Sequence, residues 1–235
     1  MRMLGVLGGM GPLASAEFMR VLTLETPAVR DQDHIPTILL SDPRVPDRTL
    51  ARDHGGEDPL PALLRGIALL EAAGCGAIVI PCNTAHGWFA AMQAATSLPI
   101  LHIVDAAAAE LRRQGVTSGR IGLMATTATL GMRLYEERLG LECLTPSAAL
   151  MHSHVMPAVA LVKANRVVEA HAPLAEVARH LHAAGAEAVV LGCTEIPLGL
   201  AAGPALEFPV VDTVAALARA AIAWSLAERR RTGYR

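Results

Sequence analysis

Apolar and polar residues fall along this chain in blocks. Short, mostly apolar runs stand at 3–7, 35–40, 77–80, 98–103, 121–125 and 188–191. Runs of this length, rich in Val, Ile and Leu and bounded by Gly or Pro, predict strands buried on both faces of a parallel sheet. Longer stretches between them predict helices near 13–22, 61–73, 88–95, 104–114, 130–139, 155–163, 175–184 and 213–228. A further apolar stretch at 208–212 precedes the last helix. Residues 41–59 carry prolines, glycines and charges without either period, and read as a long irregular loop at a strand end, where function often resides. Strands alternating with helices predict an α/β fold.

The pattern occurs twice. The run 4–7 matches 121–124 at an offset of 117 residues, Ala72-Ala73-Gly74 with Cys82 matches Ala183-Ala184-Gly185 with Cys193 at 111, and Pro99-Ile100 matches Pro209-Val210 at 110. Three matches in order predict a duplication: two pseudo-symmetric domains, each a mainly parallel sheet flanked by helices. The last helix can pack back on the first half, so the expected division is 1–100 plus 208–235 for one domain and 101–207 for the other.

Composition narrows the classes of function. Of 235 residues, 52% are hydrophobic but only 3% aromatic, so Ala, Leu, Val and Ile must fill the core. A net charge of -2 leaves no electrostatic footprint for nucleic acid. The tail Arg229-Arg230-Arg231 reads as a solvated helix end. No apolar run approaches the roughly 18 residues that span a bilayer, and the N-terminus lacks the pattern of a signal peptide. Four cysteines at 75, 82, 143 and 193 form no CxxC pair or close-spaced framework, which fits free thiols in a cytoplasmic enzyme.

Cys75 and Cys143 read as small core residues. Cys82 and Cys193 differ: each follows a strand, each precedes small polar residues, and the repeat makes them equivalent. Ligands of open α/β sheets bind outside the carboxyl ends of the strands, so two equivalent strand ends can present two thiols to one cleft. A thiolate on one face of a carbon and a thiol on the other can remove a proton and return one with inversion. Three rival chemistries are weaker. Cys82 and His86 have CxxxH spacing, but no second pair completes a zinc site. A Cys-His nucleophile using His86 or His102 leaves the second cysteine unexplained. The loop Gly8-Gly9-Met10-Gly11-Pro12 can bring backbone N–H groups close to an anion, but it has neither dinucleotide-binding nor P-loop spacing.

The motifs GVLGGMGPLAS at 5–15, PDRT at 46–49, PCNTAH at 81–86, ATTAT at 125–129 and LGCTEIPL at 191–198 span nearly the whole chain. In these the sequence resembles the aspartate/glutamate racemase superfamily, and within it the aspartate racemase branch. Glutamate racemases typically have an acidic DSG-type first loop and a His after the second Cys-Thr pair, where this chain has GGMGP and Glu195. The resemblance implies racemisation without pyridoxal phosphate or any other cofactor, an active site between two α/β domains, and a homodimer. It implies Cys82 and Cys193 as the acid/base pair. Asn83, Thr84, Thr126, Thr127 and Thr194 would hold the substrate's amino and α-carboxylate groups, with Met10 at the cleft border. Arg48 and Lys163 would take the side-chain carboxylate, a role suited to a bidentate guanidinium and an ammonium point charge. The expected partner is a small amino acid, aspartate first. A broad-specificity amino-acid or hydantoin racemase, or a non-catalytic binding protein on the same fold, are the alternatives.

Overall fold

Two four-stranded parallel sheets carry the apolar runs. The computed structural model describes residues 2–232, with side chains to position 229. The first half runs β1 (Met3–Gly8), α1 (Pro12–Glu25), β2 (Thr37–Ser41), α2 (Arg48–Asp53), α3 (Leu60–Ala72), β3 (Cys75–Val79), α4 (Phe89–Ala94), β4 (Ile100–Leu101) and α5 (Ile103–Arg113). The second runs β5 (Arg120–Ala125), α6 (Thr127–Gly131), α7 (Glu136–Leu139), β6 (Glu142–Leu144), α8 (Ala148–Leu150), α9 (Met156–Lys163), α10 (Val167–Ala183), β7 (Ala188–Gly192), α11 (Glu195–Leu200), β8 (Val210–Asp212) and α12 (Thr213–Thr232). No described helix is long and apolar enough to cross a membrane.

The repeat holds down to strand register. The sheets are ordered β2-β1-β3-β4 and β6-β5-β7-β8. Val6 pairs with Val79 in the first, and Leu123 pairs with Val190 in the second. Both residues of the second pair sit where the offsets of the duplication place them. The outer strands follow: Ile78 pairs with Ile100, and Val189 with Val210.

That last pairing corrects the division expected at residue 208. β8 belongs to the second sheet, as β4 belongs to the first, and α12 alone returns to pack on α1 and α5. One buried cluster joins Leu4 and Phe18 of the first half, Ile121 and Leu123 of the second, and Leu217 and Ala218 of α12. The halves therefore share a core. Of the tail 229–231, Arg229 donates to the Asp33 carbonyl; the side chains of Arg230 and Arg231 lie outside those described.

Other departures have local causes. Asp47 Oδ1 accepts from the N–H groups of Thr49 and Leu50 at 2.8 and 3.0 Å, and this cap starts α2 inside the expected loop. His102 Nδ1 accepts from Val104 N at 3.1 Å, so α5 begins where the expected strand 98–103 would have ended. In the glycine loop, the Gly9 N–H is taken by Ser15 Oγ at 2.8 Å. Gly9 has φ +91°, and a Cβ there would lie 2.4 Å from the Asp42 backbone. This glycine is required by that close approach and its positive φ.

Candidate active site

Cys82 and Cys193 lie just past the carboxyl ends of β3 and β7, where those strands turn into loops. Both are buried and both are free thiols. They line one cavity of about 20 Å³ together with Met10, Arg48, Asn83, Thr84, Thr126, Lys163 and Thr194. Asp47, Thr49 and Glu195, which the motif reading did not place there, complete its wall. Thr127 is the exception. Thr126 caps α6 by accepting from Thr129 N, which makes Thr127 the first helical residue and turns it outward. Thr127 is exposed and its hydroxyl donates to Asp53 Oδ2 at 2.5 Å.

The two thiols have different surroundings. The Cys193 S–H donates to Glu195 Oε2 at 3.1 Å, and the Thr194 hydroxyl donates to the same oxygen at 3.2 Å. Burial pushes the Cys193 thiol well above its ordinary range, and the Glu195 carboxylate and the second cysteine, Cys82, push it further. Cys82 is held from behind by His86. Ile103 N–H donates to His86 Nε2 at 3.3 Å, so His86 Nδ1 carries the proton and donates to the Cys82 carbonyl at 2.9 Å. Burial lowers the His86 pKa to about 4. A neutral imidazole with both nitrogens occupied is a brace for the Cys82 loop and is not placed to act as that cysteine's base.

Hydroxyls bridge the halves. Thr84 Oγ1 lies 3.1 Å from Thr126 Oγ1 and 2.9 Å from Thr129 Oγ1, and the latter two are 3.0 Å apart. A closed ring of three hydroxyls uses all three O–H donors and leaves lone pairs. The second lone pair of Thr126 is taken by the Thr129 N–H, so it is Thr84 that offers the cavity an acceptor, suited to an ammonium group.

The cationic side is contributed by both halves. Arg48 Nη1 donates to the carbonyls of Pro46 at 3.0 Å and Val45 at 3.3 Å, while its buried Nε meets no acceptor among the described residues. Lys163, at the end of α9, reaches across to Asp47 Oδ2 at 3.6 Å. Beyond these side chains opens an outer cavity of about 750 Å³, bordered by Leu13, Pro43, Val45 and Val162 and sharing Asp47, Arg48, Lys163 and Glu195 with the inner one. Among the described residues, no group of three or more His, Cys, Asp or Glu is arranged to hold a metal ion.

Comparison with known proteins settles the lineage. The sequence matches the Asp/Glu/Hydantoin racemase family over residues 7–221. The chain belongs to that family. By family it is an amino-acid racemase, an enzyme of the isomerase class. A solved structure of Picrophilus torridus aspartate racemase is 31% identical, with 97% of this chain and 95% of that one covered at a TM-score of 0.83. The broad specificity amino-acid racemase RacX of Bacillus subtilis is 26% identical, over 96% of this chain and 99% of that protein. A glutamate racemase of Deinococcus radiodurans is 30% identical over 90% of this chain and 69% of its own length.

Proposed function

We propose that this racemase acts on aspartate, without a cofactor, by two-base proton transfer between Cys82 and Cys193. The observation that carries the reading is the shared cavity. Two buried thiols reach it from equivalent strand ends of a duplicated fold, so they approach a bound carbon from two sides. Cys193, held protonated by burial and by Glu195, is the donor in one direction, with Cys82 as thiolate taking the Cα proton. The Cα–H electron pair passes into the α-carboxylate as negative charge. The S–H bond of Cys193 then breaks to protonate the opposite face. The reverse direction exchanges the roles. Fixed donors at the α-carboxylate stabilise the developing charge.

The inner cavity of about 20 Å³ has room for about one water. Substrate entry therefore requires α2 and its flanking residues to lift, and closure afterwards excludes water from the thiols. Arg48, whose buried Nε has no acceptor among the described residues, fits a side-chain carboxylate. We further propose a cytoplasmic location, which four free cysteines favour, and, from the family resemblance, two copies per assembly; light scattering in solution would then show twice the 24.6 kDa chain mass.

The outer cavity favours a second reading. About 750 Å³ beside the clamp would admit side chains larger than that of aspartate. Purified protein given D- or L-aspartate without added cofactor should approach a racemic mixture by chiral analysis. Neutral and larger amino acids and a hydantoin, assayed alongside, rank the two readings. Arg48→Ala should cost roughly 1.5–3 kcal/mol in kcat/KM for aspartate and little for a neutral amino acid. Equal losses on both would remove Arg48 from substrate selection.

A further inference from the structure

Among the described residues Tyr135 has the largest side chain that is fully removed from solvent, and it touches the neighbours of both cysteines. Its hydroxyl meets Asn83, the residue after Cys82, at 2.5 Å. Its ring edge Cε2 lies 3.2 Å from where a Cβ on Gly192, the residue before Cys193, would stand. Asn83 in turn reaches Thr213 Oγ1 at 3.0 Å, and Thr213 Oγ1 reaches the Leu191 carbonyl at 2.9 Å.

The direction of every bond in this relay is fixed by one end. A carbonyl only accepts, so the Thr213 hydroxyl donates to Leu191. Having spent its proton, Thr213 can only accept from Asn83, which places the Asn83 amide nitrogen against it. The Asn83 oxygen then faces Tyr135, and the phenol donates. Burial, and after it the nearby Cys193 and Cys143, push the Tyr135 pKa up, which keeps that donor protonated. One Nδ2–H of Asn83 remains, on a side chain that lines the cavity between the thiols.

We propose that Tyr135 and Thr213 are positioning residues that lock the Asn83 amide with its nitrogen toward the cleft, making it a hydrogen-bond donor for the substrate carboxylate. A phenylalanine would fill the same space, so it is the hydroxyl that this role requires. Thr84 accepts and Asn83 donates, so ammonium and carboxylate are told apart. The consequence for turnover rests on the racemase reading; the lock itself does not.

The chain contains two asparagines, Asn83 and the exposed Asn165. Selective 15N-asparagine labelling therefore gives two side-chain amide pairs. In the wild type, one pair should exchange with water slowly and the other fast. Tyr135→Phe should speed exchange of the slow pair by about tenfold, the worth of one buried neutral hydrogen bond. Thr213→Val should do the same, and Thr213→Ser should restore protection. If the Asn83 pair exchanges as fast as that of Asn165 in the wild type, or is unchanged in folded Tyr135→Phe and Thr213→Val, the lock is overturned.

Kinetics test the substrate role. Tyr135→Phe should raise KM for the racemised amino acid about tenfold with a smaller change in kcat. The double variant Tyr135→Phe with Asn83→Ala should be no worse than Asn83→Ala alone. Losses that multiply would overturn action through Asn83. A wild type that racemises no amino acid would sink the racemase reading, while amide exchange would still decide the lock.

Discussion

Cys193 and Glu195 are two positions apart, yet their relation is set by the turn into α11, which brings a carboxylate oxygen to 3.1 Å from the thiol. That carboxylate favours the protonated thiol. Glu195→Gln removes the charge, so the Cys193 thiol should ionise at lower pH than in the wild type. Alkylation of Cys193 by iodoacetamide, followed by mass spectrometry across pH, should show its midpoint moving down; no movement, or movement upward, would contradict the assigned coupling. A sign follows for stability as well. An unfolded cysteine ionises near ~8.5 while folded Cys193 keeps its proton, so the thiol's contribution to stability is complete below that pH and declines as pH rises above it. At this scale much is legible in the sequence. Each cysteine follows an apolar run and recurs at a fixed offset, and the motif residues from Met10 to Thr194 gather around them. Glu195 is visible only as a mismatch to the glutamate racemase pattern, because a side chain's partner depends on loop geometry. Thr127 is misplaced for a related reason: the cap at Thr126 decides which of two adjacent threonines faces inward.

The element that most exceeds the sequence pattern is α2. A loop rich in proline and charge conceals a six-residue helix whose two ends are tied to the opposite half, Asp47 to Lys163 and Asp53 to Thr127. Apolar periodicity cannot find it, since Arg48–Asp53 has no buried face; its cap is the signal, an aspartate at 47 that accepts from the N–H groups of Thr49 and Leu50. Asp47 does two things, and substitutions separate them. Asp47→Asn keeps an oxygen for the cap and deletes the ion pair, whereas Asp47→Ala deletes both. In urea unfolding, Ala should be less stable than Asn by about 1 kcal/mol, while Asn itself should lie within about 1 kcal/mol of wild type, as suits a half-exposed pair. Equal stabilities for Asn and Ala would show that the cap contributes nothing.

At the level of the whole molecule, the duplication is legible because strand ends and glycines repeat at nearly constant offsets. The fate of the last strand and helix is not. β8 repeats β4 and stays with its own sheet, while α12 crosses to α1 and α5 and makes one core of two halves. Sequence shows that α12 is apolar, but not which surface it covers. A shared core predicts joint unfolding. Leu217, fully buried on α12, should cost about 2–5 kcal/mol when cut to Ala. Circular dichroism and fluorescence, to which Trp88 of the first half contributes, should report one coincident transition moved to lower urea. Two separated transitions, with only one displaced, would contradict a common core.

The central claim is that Cys82 and Cys193 each serve one face of the substrate carbon. Its most direct test is proton exchange in deuterated water with single-cysteine variants. The wild type should place solvent deuterium at Cα of product formed from either enantiomer of aspartate. Cys82→Ala and Cys193→Ala should each lose inversion, and any Cα exchange that survives should be confined to opposite enantiomers in the two variants. Substantial racemisation by either folded variant, or product that retains its original Cα hydrogen, would contradict the two-thiol account.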